Sequence, residues 1–305
     1  MFGFREEFTY FECGHCGCVQ IADIPQNISK YYPENYYSFQ SPSPLKVFIK
    51  GPYLSEPLTA SLILKRLLNL LPGFRFIPEW IERARIKKSH AILELGSGQG
   101  TKLLELRALG YSDLTGADPF LPHDYSSPNG VVLLRKNLAE LERSYDFVML
   151  HHSLEHIPEQ LETLLEIKRH LKPDGTVLIR IPLASSFAWK KYGPNWVQLD
   201  APRHFYLHTT QSISTLAQQA GFQIVDVHHD STSFQFWGSE QYSQDIPLRD
   251  PRSVGENKHQ SLFSRSEMRG FDREARRLNS QAEGDQAAFY LKIPSGSQRK
   301  EKASL

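Results

Sequence analysis

Cysteine is scarce in this chain. Only three occur among 305 residues, all between Cys13 and Cys18, which excludes a framework of disulfides. An excess of either charge is also missing. Against 35 Lys and Arg stand 34 Asp and Glu, a formal net charge of +1, so no overall field draws the protein onto nucleic acid or an anionic lipid surface. Long apolar runs are absent too. The most apolar segment, Leu58 to Leu71, is broken by Lys65 and Arg66 and falls short of the ~20 residues that span a bilayer. The opening MFGFREEF lacks the basic start and apolar core of a signal peptide, and no internal repeat is present. These absences predict a cytoplasmic protein with neither a membrane nor a nucleic acid as partner.

What is present is an ordinary globular composition, 40% hydrophobic and 23% charged, enough for a sizeable core. Residues 1–40 are aromatic and hold the cysteines. Residues 41–88 read as a linker, opened by Ser41-Pro42-Ser43-Pro44, and an amphipathic covering helix with Ala60, Ile63, Leu64, Leu67, Leu68 and Leu71 on one face. Residues 89–293 form the main domain, and the polar tail 294–305 is expected to be disordered.

Within the main domain short apolar runs alternate with helical periodicity. Strands are predicted at Ala91–Leu95, Asp113–Ala117, Val131–Leu134, Tyr145–Leu150, Thr176–Ile181 and Gln223–Val227, with a last strand at Ala287–Ile293. Helices are predicted at Lys102–Leu109, Pro158–Leu171, Thr210–Ala220 and Ser266–Asn279. Such alternation implies an α/β fold: a doubly wound, mostly parallel sheet covered on both faces, with a final antiparallel strand and a small N-terminal appendage.

The run AILELGSGQGTKLLEL, Ala91 to Leu106, joins a buried strand to a helix through a glycine-dense turn. In doubly wound sheets this is where ligands bind. The dinucleotide fingerprint G-x-G-x-x-G is not met, because Gly96, Gly98 and Gly100 are spaced one residue too tightly and Thr101 stands where the third small residue belongs. The Gly-Lys-Ser/Thr ending of a P-loop is missing as well. Glu94, two residues before the loop, would repel a pyrophosphate and suit a cation. Asp118, at the end of the second strand, can accept hydrogen bonds from both hydroxyls of a ribose. The implied ligand carries a ribose, no phosphate and positive charge, which describes S-adenosylmethionine.

ILELGSGQG, followed by GADP and YDFVMLHHSLEHI, resembles the Rossmann-type S-adenosylmethionine-dependent methyltransferases over about Ser89 to Val227. The resemblance implies that Glu94, Gly96, Ser97, Gly98 and Gly100 wrap the methionine moiety and that Asp118 holds the ribose. It places Asn137 near the adenine and His151 and His152 beside the sulfonium.

Methyl transfer to a hydroxyl is helped by a base, and histidine titrates near working pH. HHSLEH offers His151, His152, Glu155 and His156; QLDAPRHFYLHT offers Arg203, His204 and His208. His204 is the favoured base, with His152 the second catalytic candidate, because His204 follows an approach loop rich in large side chains (Trp189, Tyr192, Trp196). Phe234–Tyr242 is read as a lid whose Trp237 and Tyr242 could stack on a sugar ring. Methyltransferases of quinone biosynthesis carry Glu-x-x-Glu-His at the HHSLEH position, an arrangement associated with a divalent metal. His152 replaces its first Glu, so packing rather than metal binding is expected for His152, Glu155 and His156.

Cys13 and Cys16 make one C-x-x-C pair, half of a structural zinc site. The segment through YYPENYYSF resembles the zinc-ribbon leader of some sugar methyltransferases, in which a first pair lies upstream. An upstream pair encoded before Met1 and a decayed ribbon both remain open, and no tightly held zinc is expected. The leading expectation is a methyltransferase that acts on a small-molecule or carbohydrate-like acceptor, at oxygen. The alternatives are a non-catalytic cofactor-binding scaffold and a nicotinamide oxidoreductase.

Overall fold

The computed structural model describes residues 3–32, 78–127, 130–256 and 262–294. The Ser41–Pro44 linker, the expected helix of Leu58 to Leu71 and the tail beyond residue 294 lie outside the described residues.

Continuous apolar runs build the central strands. β3 (Ala91–Leu95) is buried at every position, and β7 (Tyr145–His151) carries Phe147, Val148, Met149 and Leu150 fully buried. Strands that are covered on both faces have this composition. β3 pairs in parallel with β4 (Asp113–Ala117), Ala91 opposite Asp113, and with β7, Ile92 opposite Phe147. β4 pairs in parallel with β6 (Val131–Leu134), and the two-residue β5 (Tyr125–Ser126) closes that edge antiparallel to β6. With β8 (Leu171–Pro182), β10 (Gln223–His229) and β11 (Gln286–Lys292), the strand order is β10-β11-β8-β7-β3-β4-β6-β5. This is the expected mostly parallel sheet, and the expected last strand, β11, takes its place between β10 and β8. The order reverses at β3, whose carboxyl end therefore opens the crevice where such sheets bind ligands.

β3, β4 and β6 occupy their predicted ranges residue for residue. The predicted helices appear as α2 (Thr101–Ala108), α3 (Gln160–His170), α5 (Thr210–Gln219) and α7 (Arg265–Ser280). α5 starts at Thr209, whose Oγ1 accepts the Ser212 amide at 3.0 Å, and α7 starts at a Ser264–Glu267 capping box. Three further helices, α1 (Glu79–Ala84), α4 (Phe187–Tyr192) and α6 (Phe234–Ser243), occur among the described residues. None of the helices there is long and apolar enough to cross a membrane.

The chain divides into two compact units. Of the described residues, 78–127, 130–151, 162–178 and 290–294 belong to one, which holds β3 to β7 and the glycine loop. Residues 3–32, 152–161, 179–256 and 262–289 belong to the other. In this second unit β1 (Tyr10–Glu12), β2 (Val19–Ile21) and β9 (Tyr206–Leu207) make a small antiparallel sheet in the order β1-β2-β9. The Tyr10 hydroxyl donates to the His204 carbonyl at 2.9 Å, Thr209 Oγ1 to the Cys16 carbonyl at 2.6 Å, and Arg203 Nη1 to the Tyr31 carbonyl at 3.1 Å. The segment read from sequence as a leader is thus stitched to residues 203–209.

Trp196, expected on an approach loop, is instead fully buried among Val19, Ala184, Ala188 and Leu207. Its Nε1 donates to Asp285 at 3.1 Å. Burial holds that carboxyl at about 6, although the Trp196 and Ser231 hydrogen bonds pull it down. Cys13 to Cys18 form the turn between β1 and β2, with the Cys13 amide donating to the Cys18 carbonyl at 2.9 Å. All three thiols are free, and burial pushes Cys18 up to about 12. Among the described residues no metal-ligating cluster includes them.

Candidate functional site

The glycine loop follows β3 directly. Gly96, Gly98 and Gly100 all have positive φ, 68°, 49° and 72°, a region that glycine enters without steric cost. Their amides are consumed within the protein: Gly96 donates to the Ala117 carbonyl at 2.9 Å, Gly100 to the Ser97 carbonyl at 2.9 Å, and Gly98 to Asp118 Oδ2 at 2.9 Å. An anion cradle needs free amides, and these three have none to give. Close packing explains two further residues. A Cβ on Gly100 would meet Leu133 Cδ2 at 2.8 Å, and one on Gly116 would meet Ser97 Oγ at 2.5 Å, so Ser97 is buried against β4.

Glu94 lies in β3, 4% exposed, and its Oε2 has no hydrogen-bond partner among the described residues. Burial pushes its carboxyl up to about 8, against the pull of Lys102. A buried acceptor without a donor is costly, and a cationic ligand group would relieve it. Asp118 accepts from two amides, Gly98 on Oδ2 and Phe120 on Oδ1, each at 2.9 Å. It lines a cavity of about 300 Å³ with Gly98, Gln99, Phe120, Leu121 and Pro122. Phe120 is 79% exposed there. No motif in the sequence singles out Phe120; its place two residues beyond the strand-end acid is the one signal available.

Asn137 follows β6 at an exposed position. It caps the 3₁₀ turn Leu138–Glu140, its amide donating to Glu140 Oε2 at 2.7 Å. His151 ends β7 with its ring edge-on to Trp80, centroids 4.7 Å apart.

The remaining candidates gather in the second unit. His152 has φ 51°, and its amide donates to the Arg180 carbonyl at 2.9 Å. Arg180 Nη1 lies 2.8 Å from His152 Nε2. Guanidinium only donates, so Nε2 accepts and the proton sits on Nδ1, 3.3 Å from Glu155 Oε1. Arg180 is itself anchored on Asp230 at 2.7 Å. Glu155 is fully buried; burial alone would raise its pKa, but His152, His156 and His204 around it hold it at about 2.

His204 is 5% exposed and its Nδ1 lies 2.7 Å from the Gln198 carbonyl. Burial, with His156 beside it, lowers it to about 4, against the opposing pull of Asp200 and Glu155. The His156 and His204 rings meet edge to face at 4.8 Å. His208 stands apart from this group, wired between Gln160 at 2.8 Å and Ser212 at 2.9 Å. One ligand atom each from Glu155, His156 and His204 lies within 4.8 Å of the others, the one such metal-ligating group among the described residues.

A family model described as a methyltransferase domain matches residues 72–227. That is half of the chain, and the chain belongs to this family: it is a methyltransferase whose cofactor is S-adenosylmethionine. No curated protein matches the sequence. Among solved structures the chain is similar to a SAM-dependent methyltransferase from Archaeoglobus fulgidus (16% identity, 75% of this chain and 93% of that one, TM-score 0.43). It is also similar to the CcbJ methyltransferase from Streptomyces caelestis (14%, 81% and 99%, 0.42) and to the cyclopropane synthase MmaA2 from Mycobacterium tuberculosis (12%, 70% and 81%, 0.45). The residues of the loop fit the cofactor. The orphaned Glu94 oxygen can take an ammonium, and Asp118 keeps capacity for ribose hydroxyls, since a carboxylate has about four acceptor sites and two are used.

Proposed function

We propose that this methyltransferase acts in the cytoplasm on a small-molecule or carbohydrate-like acceptor and methylates it at a hydroxyl oxygen. When bound, S-adenosylmethionine supplies a methyl group already activated by the positive sulfur. The protein's own task is to align the acceptor and exclude water, and orientation alone is worth up to ~7–11 kcal/mol. Glu94 would hold the ammonium, with Gly96, Ser97, Gly98 and Gly100 around the methionine moiety. Asp118 would hold the ribose, Asn137 would lie by the adenine, and His151 would border the sulfonium. His204 and His152 are the candidates for handling the acceptor proton: His204 Nδ1 is spent on a carbonyl, which leaves Nε2 to accept a proton, whereas His152 Nε2 is taken by Arg180 and only its Nδ1 proton can be passed on.

Support for a sugar-sized acceptor comes from a cavity of about 350 Å³ within the second unit, lined by Phe4, Phe8, Tyr31, Asp200 and Tyr242 among others. Aromatic faces beside a carboxylate suit a polyhydroxylated ring. The Tyr242 hydroxyl is buried with no partner among the described residues, and an acceptor oxygen would satisfy it. The observation that carries the cofactor side of the reading is the unpartnered Glu94 Oε2 beside a loop whose glycine amides are already bonded. Calorimetry with S-adenosylmethionine and with nicotinamide dinucleotides tests it: binding of the first alone is expected. A mass screen of hydroxylated acceptors for the gain of one methyl group tests the rest. Cofactor binding without turnover on any acceptor would leave a scaffold instead.

A further inference from the structure

Glu155, His156 and His204 sit in one unit and converge to within 4.8 Å. How their protons are placed decides what that convergence means. His156 Nδ1 lies 2.7 Å from the Arg203 carbonyl, and His204 Nδ1 lies 2.7 Å from the Gln198 carbonyl. A carbonyl only accepts, so in both rings Nδ1 carries a proton, and Nε2 is the nitrogen left to face a ligand; the Tyr32 hydroxyl lies 3.2 Å from the same His156 nitrogen. Within reach of both is the Glu155 carboxylate, fully buried, with neither oxygen hydrogen-bonded among the described residues. His152 Nδ1 faces it only at 3.3 Å.

Two imidazole nitrogens and a buried carboxylate therefore converge, and the one N–H aimed at the carboxylate is that of His152. In a low dielectric this arrangement is costly, unless a cation sits at its centre. The outer contacts have the form that supports metal-binding imidazoles, in which the distal N–H is fixed on a main-chain carbonyl. His152, oriented by Arg180 and through it by Asp230, supplies a similar support to the carboxylate.

We propose that Glu155, His156 and His204 form a binding site for one divalent first-row transition ion of the zinc class. Two imidazole nitrogens and one carboxylate oxygen are a three-ligand set that leaves a tetrahedral ion one open position. Nitrogen donors disfavour Mg²⁺ and Ca²⁺, which take oxygen ligands. The sequence departure at His152 suggested packing alone; the placement of the protons points to a ligand set completed by His204. An acceptor oxygen could enter the open position and be made more acidic there; with the ion bound, His204 Nε2 is a ligand instead of the base, and the ion takes over the task of loosening the acceptor's proton. That use rests on the methyltransfer reading, whereas the site itself does not.

The test reads binding without turnover. Full-length protein carrying Cys13→Ser and Cys16→Ser, stripped by chelator, is titrated with Zn²⁺ by calorimetry and with Co²⁺ by absorption. One ion per chain is expected, with visible Co²⁺ bands, no thiolate charge-transfer band and no comparable binding of Mg²⁺. Glu155→Gln, His156→Gln and His204→Gln should each weaken Zn²⁺ by at least ~10–100-fold, the loss typical of even an outer contact. No stoichiometric ion in the Cys13→Ser/Cys16→Ser protein overturns the proposal, whatever the folding of the other variants. Undiminished binding in the folded ones overturns it equally. Failure of the methyltransfer reading would show separately, as absent S-adenosylmethionine binding with the metal site intact.

Discussion

The Asp118 carboxylate accepts the Gly98 amide at 2.9 Å across 20 residues of sequence. The acid expected to meet a ribose is therefore also the residue that fixes the loop next to it, and cofactor recognition and loop shape are coupled through one side chain.

Asp118→Ala should consequently lose more than a ribose contact. Hydrogen bonds to a charged group contribute roughly 1.5–3 kcal/mol, so S-adenosylmethionine should bind about 10–100-fold more weakly. Asp118→Asn, which keeps one acceptor, should lie between the variant and the parent. Isothermal calorimetry measures both, and an unchanged affinity would remove Asp118 from the site.

Gly98→Val places a β-branched residue at φ 49°, where such side chains are outliers. A destabilisation of about 1–2 kcal/mol is expected from the left-handed backbone alone, together with loss of cofactor binding. Chemical denaturation and calorimetry read the two effects. A variant that binds normally would mean the loop lies elsewhere.

Glu94 makes stability and affinity depend on pH in opposite directions. Its carboxyl is raised from 4.5 to about 8 by burial, so between those values the folded state holds a proton that the unfolded state has lost. Stability then falls as pH rises through this window. Glu94→Gln should flatten the fall, as urea titrations at pH 5, 6.5 and 8 would reveal. A cationic cofactor needs the ionised form, so its affinity for the parent should gain up to about tenfold per pH unit below 8, relative to Glu94→Gln. Parallel affinity profiles for the two proteins would contradict the ammonium assignment.

His204→Ala should lower turnover by ~10²–10⁴-fold, the usual range for a lost proton-transfer group, while S-adenosylmethionine affinity stays within a factor of two or three. Mass-detected methylation with any acceptor found by screening supplies the first number and calorimetry the second. Full activity would discard His204 from the reaction.

The sheet was legible because its strands are short, continuous apolar runs, and the central ones are buried on both faces. Runs such as Ala91–Leu95 and Val131–Leu134 need no periodicity to stand out, and their bounds were readable to the residue. α6 was hidden because its buried face is largely polar. Gln235, Ser239 and Gln241 are all fully buried. Ser239 Oγ accepts the Val197 amide at 3.0 Å, and Gln241 bonds Ser253 and the Val254 amide at 3.0 Å each. Partners so distant in sequence leave no local pattern. The loop side of the site was readable from residue types and spacing, since glycine and strand-end acid sit within one βαβ stretch. The histidine cluster was readable only as two separate motifs. What joins them is the Arg203 and Gln198 carbonyls that set the imidazole tautomers, and backbone acceptors have no letter in a sequence.

β2 pairs with β9 through only two residue pairs, Val19 with Leu207 and Gln20 with Tyr206, extended by the Ile21 amide on the Phe205 carbonyl at 3.0 Å. Protein engineers who trim this enzyme to the stretch recognised as its family domain would discard the strand that shields that ribbon. The exposed edge would be adhesive, and the shortened product should clump or misassemble even with every cofactor-loop residue retained.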